Sequence, residues 1–106
     1  MAYHLITIAP NGDRTTQTQD AVPDLATLQA GVGGGTIQLI PHFNLYGAQP
    51  CVAFCDDEGK LTGQELNAVA TYLWYSCLAP EPFRPDTLAG SIIIVCADTE
   101  QELEAL

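Results

Sequence analysis

Basic side chains are scarce in this 106-residue chain, which has three Lys and Arg against 13 Asp and Glu and a formal net charge of −10. Proteins that bind the phosphate backbone of nucleic acids need clustered Lys and Arg. Anionic membrane surfaces attract the same residue types. The composition therefore argues against direct binding to nucleic acid or to an anionic membrane.

Long apolar runs are lacking as well. No stretch approaches the roughly 18 apolar residues that a membrane-spanning helix needs. Residues 1–10 contain neither the basic region nor the apolar segment of a secretory signal, so we expect a cytoplasmic protein. The hydrophobic fraction of 47% argues against disorder, and the length predicts a single domain over residues 1–106.

Four cysteines are present, and an even number indicates a disulfide framework only in a secreted chain. In a cytoplasm we expect reduced thiols that pack as small hydrophobic side chains. Cys51 and Cys55 fall in a predicted strand, where residues four apart lie roughly 13 Å from each other. That separation excludes a disulfide or a shared zinc ion between these two residues. We expect neither a metal site nor a cofactor.

The first part of the chain predicts a β-hairpin followed by a short helix. Residues 4–9 alternate and contain Leu and Ile, residues 10–13 form a turn signal, and residues 14–19 read RTTQTQ, which predicts an exposed returning strand. The helix that follows has Leu25 and Leu28 on one apolar stripe, and the glycine-rich run after it ends it.

The rest of the chain predicts three more strands and two helices. The main helix covers residues 63–77, and its predicted core stripe consists of Leu66, Val69, Ala70, Leu73 and Cys77. A continuous apolar run over residues 90–97 predicts a central strand buried on both faces. The other elements are strands at 36–40 and 51–55, a loop at 41–50, a proline-rich connection at 80–85, and a last short helix capped by Asp98 or Thr99.

These elements define an α+β domain. We expect a small mixed or antiparallel sheet of about five strands with one main helix and a short terminal helix.

Four short segments of the sequence also resemble a known family. They are Gly34-Gly35-Thr36-Ile37 leading into Pro41, the acidic turn from Cys55 to Leu61, Asn67-Ala68, and Leu88-Ala89-Gly90-Ser91. The family they resemble is the bacterial and phage domain of unknown function 3846, in which Asn is common at the position of Cys55. The resemblance implies a small standalone protein, often encoded by phages, plasmids and other mobile elements, and it transfers no catalytic residues.

Enzymatic chemistry finds little support in the residues. The two histidines, His4 and His42, have no nucleophile near them in sequence, and a nucleophile elbow is absent. The glycine-rich run 31–35 follows a helix and precedes a strand, which is the wrong order for a phosphate-binding loop. We therefore expect a non-enzymatic protein.

Two groups of side chains are candidates for interaction. Aromatic residues are enriched at binding hot spots, although the same side chains can simply cover the core. Acidic residues steer association with basic partners. The candidates are the aromatic Phe43, Tyr46, Trp74, Tyr75 and Phe83, and the acidic Asp56, Asp57, Glu58, Glu100, Glu102 and Glu104.

Two functions fit this sequence. The first is a small acidic accessory protein of a phage or mobile element that binds a host or element-encoded protein of basic character. In one version of it, the carboxylates mimic the phosphates of a nucleic acid. The alternative is a small-molecule or nucleotide-sequestering protein in which Phe43, Tyr46 and Trp74 stack on a base. The sequence leaves homodimerisation open under either function.

Overall fold

The computed structural model describes residues 2–34, 36–57, 63–77 and 87–106. Within these residues the chain forms six strands and three helices. In chain order they are β1 (Tyr3–Ile8), β2 (Arg14–Gln19), α1 (Leu25–Gly31), β3 (Ile37–Leu39), β4 (Leu45–Tyr46), β5 (Gln49–Asp56), α2 (Ala68–Cys77), β6 (Ile92–Cys96) and α3 (Glu100–Leu103).

The strands form one antiparallel sheet in the order β2-β1-β6-β5-β3, and the two-residue β4 pairs with the start of β5. The predicted α+β class is confirmed, and of the two sheet types the antiparallel one is present. The predicted hairpin of β1 and β2 is also confirmed. Gly12, with φ of 93°, supplies the left-handed turn residue, and its N–H donates to the Ala9 carbonyl at 2.9 Å.

Strand β6 occupies the centre of the sheet, and all five of its residues are buried, as the apolar run predicts. Its side chains alternate between two core clusters. Ile92, Ile94 and Cys96 belong to the cluster that contains Ala70 and Trp74 of α2. The other cluster holds Ile93 and Val95, together with Leu28 of α1 and Leu103 of α3. Helices therefore cover both faces of the sheet, with α2 on one face and α1 and α3 on the other.

The main helix begins later than predicted, at Ala68 instead of Gly63. Gly63 has a φ of 74°, which a right-handed helix does not accommodate. The Asn67 side chain accepts a hydrogen bond from the Ala70 N–H at 3.0 Å and so caps the helix start. Leu66 lies before this cap in a bridge to Ala89 and is 62% exposed, so its predicted place in the core stripe is wrong.

Trp74 was not in the predicted core stripe, but it is a core residue in the structure, and only 6% of it is exposed. Of the predicted stripe residues, Ala70 is buried, and Val69, Leu73 and Cys77 are partly buried against the same cluster. The cause is the late helix start, which leaves a helix of 10 residues, or nearly three turns, whose buried residues are Ala70 and Trp74.

Helix α1 and the predicted loop also differ in detail from the expectation. Asp24 is the N-cap of α1, and Leu28 is buried while Leu25 is 58% exposed, so these two leucines do not share a buried stripe. The predicted loop 41–50 contains β4 and the start of β5. The proline-rich connection 80–85 lies outside the described residues, as does the acidic turn beyond Asp57.

Candidate functional site

Strand β2 forms one edge of the sheet, and within the described residues no strand pairs with its outer side. Residues of an antiparallel strand alternate between those whose backbone groups bond to the neighbouring strand and those whose groups point away from it. The Ala9 N–H donates to the Asp13 carbonyl at 2.9 Å, which fixes this alternation through the hairpin register. The residues whose N–H and C=O groups point to the open side are Arg14, Thr16 and Thr18.

A groove of about 460 Å³ lies next to this open edge, on the face of the sheet that carries α1. Its floor is made by β1, β2 and β6, and one wall is helix α1. Its lining is neutral, with hydroxyl, amide and aliphatic groups: Leu5, Thr7, Thr15, Gln17, Thr27, Ala30, Gly31 and Ile93. The groove can therefore accept small or uncharged polar side chains without burying a charge.

Gly31 sets the distance between the groove wall and its floor. A Cβ atom at this position would lie 2.7 Å from Cδ1 of Ile93, closer than real side chains approach. The end of α1 therefore packs directly on β6. The rest of the helix lies over β6 and leaves the inner side chains of β2, Thr15 and Gln17, exposed beside it.

Carboxylates surround the edge and the groove. Asp13 and Asp20 flank the two ends of β2, and both are exposed. Asp24 is also exposed, and its hydrogen bonds with Thr27 hold the pKa of its carboxyl below the usual range. Among the described residues, the cation near this edge is Arg14, whose guanidinium donates to the Tyr46 hydroxyl at 2.7 Å and lies 6.0 Å from the centre of that ring.

The predicted aromatic candidates do not form one surface. Phe43 and Trp74 are core residues, 2% and 6% exposed, and the Trp74 Nε1–H donates to the Pro41 carbonyl at 2.7 Å. Tyr46 and Tyr75 are half-buried against the core on the α2 face. Phe83 lies outside the described residues.

The predicted acidic candidates lie in two separate places. Asp56 ends β5, where it accepts a hydrogen bond from Gln64 at 2.9 Å, and Asp57 next to it is exposed. Helix α3 follows β6, which is antiparallel to β5, so this helix lies beyond the opposite end of the sheet.

Of the three acidic residues of this last region, Glu100 and Glu104 are exposed and Glu102 is half-buried. The Glu102 Oε1 accepts from the Thr99 hydroxyl at 3.1 Å, and its Oε2 is buried without a hydrogen-bond partner. Glu58 lies outside the described residues. The two acidic regions are therefore not one continuous stripe.

The candidate edge was missed by reasoning from the sequence, although a signal for it exists. Exposed edge strands are commonly protected against pairing by Lys, Pro or a bulge. The RTTQTQ segment has no Lys or Pro, and its one charged residue, Arg14, stands at its start, so Thr15 to Gln19 are uncharged and include three strand-forming threonines. An exposed strand whose central residues carry no such protection indicates an edge that is available for pairing.

In the described ranges, no three His, Cys, Asp or Glu side chains come together in a way that could hold a metal ion. No helix among these residues is long and apolar enough to cross a membrane.

Helices on both faces of one antiparallel sheet define the class of this protein, a small three-layer α+β domain. The family model described as Domain of unknown function (DUF3846) matches residues 3–106, and the chain belongs to this family. Comparisons with curated proteins and with solved structures gave no significant match.

Proposed function

We propose that this protein is a non-enzymatic accessory protein that binds an extended segment of a partner protein along β2. The segment adds as a further strand to the sheet, a mode of recognition in which backbone hydrogen bonds supply affinity and alternate side chains supply specificity. The observation that carries the proposal is the open edge of β2, with the backbone groups of Arg14, Thr16 and Thr18 pointing outward beside a groove.

The groove supports this mode because it lies beside the place that an added strand would occupy. Alternate side chains of such a strand point to the α1 face of the sheet. There they meet Thr15, Gln17 and the exposed side of α1. Because the lining is neutral, we expect small or uncharged polar residues at these alternate positions of the partner.

Charge identifies the rest of the partner's chemistry. Asp13 and Asp20 flank the two ends of β2, and the whole chain has a net charge of −10. A segment with Lys or Arg at both ends therefore meets carboxylates at both ends of the edge, and the net charge speeds its association at low salt. We place this binding in the cytoplasm and the protein among the accessory proteins of phages or mobile elements.

Nucleotide sequestration has less support. Stacking on a base needs an exposed ring face, whereas Phe43 and Trp74 are buried in the core. Of the three rings considered for stacking, Tyr46 alone is partly exposed, and Arg14 lies over it.

The experiment is residue-resolved amide hydrogen exchange of the protein with and without a short synthetic peptide that has alternating Thr and Val and a Lys at each end. In the free protein, we expect β1 to protect the amides of Thr15 and Gln17 and those of Thr16 and Thr18 to exchange fast. Strand addition protects Thr16 and Thr18 and leaves the other two nearly unchanged. Peptides from proteins recovered by affinity capture at low and high salt are tested in the same way.

Thr16→Pro is the matched variant because the Thr16 N–H points away from β1, and proline is accepted at a sheet edge. It removes the central outward donor and retains the ladder to β1. Thr16→Val is the control, since it alters the side chain and keeps the donor. We expect the proline variant to lose peptide binding and the valine variant to retain it.

Equal binding by both variants would contradict strand addition. A second outcome would also contradict it. If the amides of Thr16 and Thr18 are already protected in the free protein, and light scattering shows a dimer, then β2 pairs with a second copy of the chain.

A further inference from the structure

Two buried cysteines face each other across the centre of the sheet. Cys51 of β5 and Cys96 of β6 are directly opposite in the strand register, and their side chains are 3% and 0% exposed. Cys51 and Cys96 are both free thiols in this structure. Cys51 and Cys55, the pair considered from the sequence, lie on the same strand, and the pair that the fold brings together is a different one.

The register also determines what kind of cross-strand pair this is. The Ala97 N–H donates to the Pro50 carbonyl at 3.2 Å, so Pro50 and Ala97 are a hydrogen-bonded pair. The adjacent pair, Cys51 and Cys96, is then a non-hydrogen-bonded one, in which Cα atoms lie about 4.5 Å apart and side chains are closest. Disulfides need Cα atoms about 4.4–6.8 Å apart, so the backbone already has a suitable spacing.

The two thiols also interact. A hydrogen bond between them lowers the pKa of Cys96, while the same bond and burial raise the pKa of Cys51. Cys51 also has the Phe43 carbonyl 3.7 Å from its Sγ. Within the pair, Cys96 therefore ionises more readily than Cys51.

We propose that Cys51 and Cys96 are a redox modification site, a dithiol that a small-molecule disulfide converts reversibly to an intramolecular disulfide. The Cys96 thiolate attacks one sulfur of the oxidant, forms a mixed disulfide and expels one thiolate. Cys51 then loses its proton to solvent and attacks the Cys96 sulfur, which expels the second thiolate. The two protein thiols are oxidised, the oxidant is reduced to two thiols, and the two protons released are taken up by the two leaving thiolates.

The oxidant reaches the pair through local opening of the segment that covers it. The Phe43 carbonyl contacts the Cys51 sulfur, and the two-residue strand β4 that follows Phe43 pairs with Gln49 and Pro50. So short a strand contributes little to holding this segment in place. We therefore expect oxidation to be slower than that of an exposed thiol and faster than global unfolding.

Cys77 is the competing partner. It is half-buried and packs against the same core cluster. Its Sγ lies 3.2 Å from the Leu45 carbonyl of β4 and 3.5 Å from the Leu73 carbonyl of α2, so its single S–H is shared between these two acceptors. The strand register, by contrast, holds Cys51 and Cys96 face to face.

The test is incubation of the folded protein with oxidised glutathione, followed by alkylation of the remaining thiols in denaturant, chymotryptic digestion and mass spectrometry. Chymotrypsin cleaves after Phe54 and Tyr75, so Cys51, Cys55 and Cys77 fall in separate peptides. We expect a linked pair of peptides that contains Cys51 and Cys96, with Cys55 and Cys77 alkylated. We also expect the thermal midpoint to rise by several degrees and to return after reduction.

Cys77→Ser and Cys96→Ser separate the alternatives. The linkage and the rise in thermal midpoint should persist in Cys77→Ser and disappear in Cys96→Ser. If Cys96→Ser does not fold, the disulfide-linked peptides found in the unaltered chain and in Cys77→Ser still show which two cysteines are joined. Two outcomes would overturn the proposal. One is a disulfide between Cys51 and Cys77. The other is alkylation of all four cysteines after an incubation long enough for hydrogen exchange to show local opening.

Discussion

Asn67 connects three parts of the fold, and replacing it with alanine should strongly destabilise the protein. Its side chain is completely buried. Nδ2 donates to the carbonyls of Ile8 and Gly90, each at 2.9 Å, while Oδ1 accepts from the Ala70 N–H at 3.0 Å. One amide therefore joins the end of β1, the approach to β6 and the start of α2.

The expected loss of unfolding free energy follows from these three bonds. Removing a helix N-cap costs about 1 kcal/mol. Each buried carbonyl that loses a partner adds about 1 kcal/mol, at the low end of the range because a carbonyl has a second lone pair. Asn67→Ala should therefore lower the free energy of unfolding by about 3 kcal/mol, out of a total of about 5–15 kcal/mol for a natural domain.

Urea denaturation measures this change, and the single Trp, at position 74, reports on the core through its fluorescence. A loss of about 3 kcal/mol lowers the midpoint by about 1–3 M urea. Thr18→Ala is the control, since it removes one exposed contact, 3.0 Å long, between Thr18 Oγ1 and His4 Nδ1. If Asn67→Ala shifts the midpoint no further than this control does, the argument for a buried connecting amide is refuted.

Two more predictions concern α1. Gly31→Ala places a Cβ 2.7 Å from Ile93 Cδ1, so overpacking should outweigh the gain in helix propensity. We expect the free energy of unfolding to fall by about 1 kcal/mol in the same urea assay. An increase would contradict the close packing of α1 on β6. Asp24 has a lowered pKa when folded because its carboxylate accepts from Thr27, so its contribution to stability is complete above the unfolded pKa and is lost as pH falls through the folded one. Thermal unfolding of Asp24→Asn should accordingly depend less on pH in this acidic range than that of the unaltered chain, and an unchanged dependence would contradict the role of the cap.

Much of the fold follows from local sequence patterns. The hairpin was predictable because a turn signal separates an alternating apolar strand from a threonine-rich one, and β6 was predictable because its apolar run has no polar interruption. The start of α2 was not predictable from periodicity. Leu66 has the right spacing for the helix stripe, but Asn67 prefers the cap and the backbone at Gly63 is left-handed.

The site depended on information that the sequence does not carry locally. Aromatic residues were reasonable candidates for a surface, yet Phe43 and Trp74 fill the space between α2 and the sheet. Whether a polar strand such as β2 lies at an edge depends on the order of all the strands. In the same way, Cys51 and Cys96 become neighbours through pairing between distant segments, which spacing along the chain does not predict.

The central position of β6 has a consequence for how the chain folds. Strands β1 and β5 flank β6 and touch each other only through it, so neither core cluster can be completed before β6 is in place. The contacts involved are far apart in sequence, and the Tyr3 hydroxyl bonds to the Glu102 carbonyl across a separation of 99 residues. A native topology dominated by such distant contacts is associated with slow folding. During synthesis, the hairpin and β5 should therefore remain without a shared core until β6 has left the ribosome, and this interval is when the nascent chain is most exposed to chaperones and proteases.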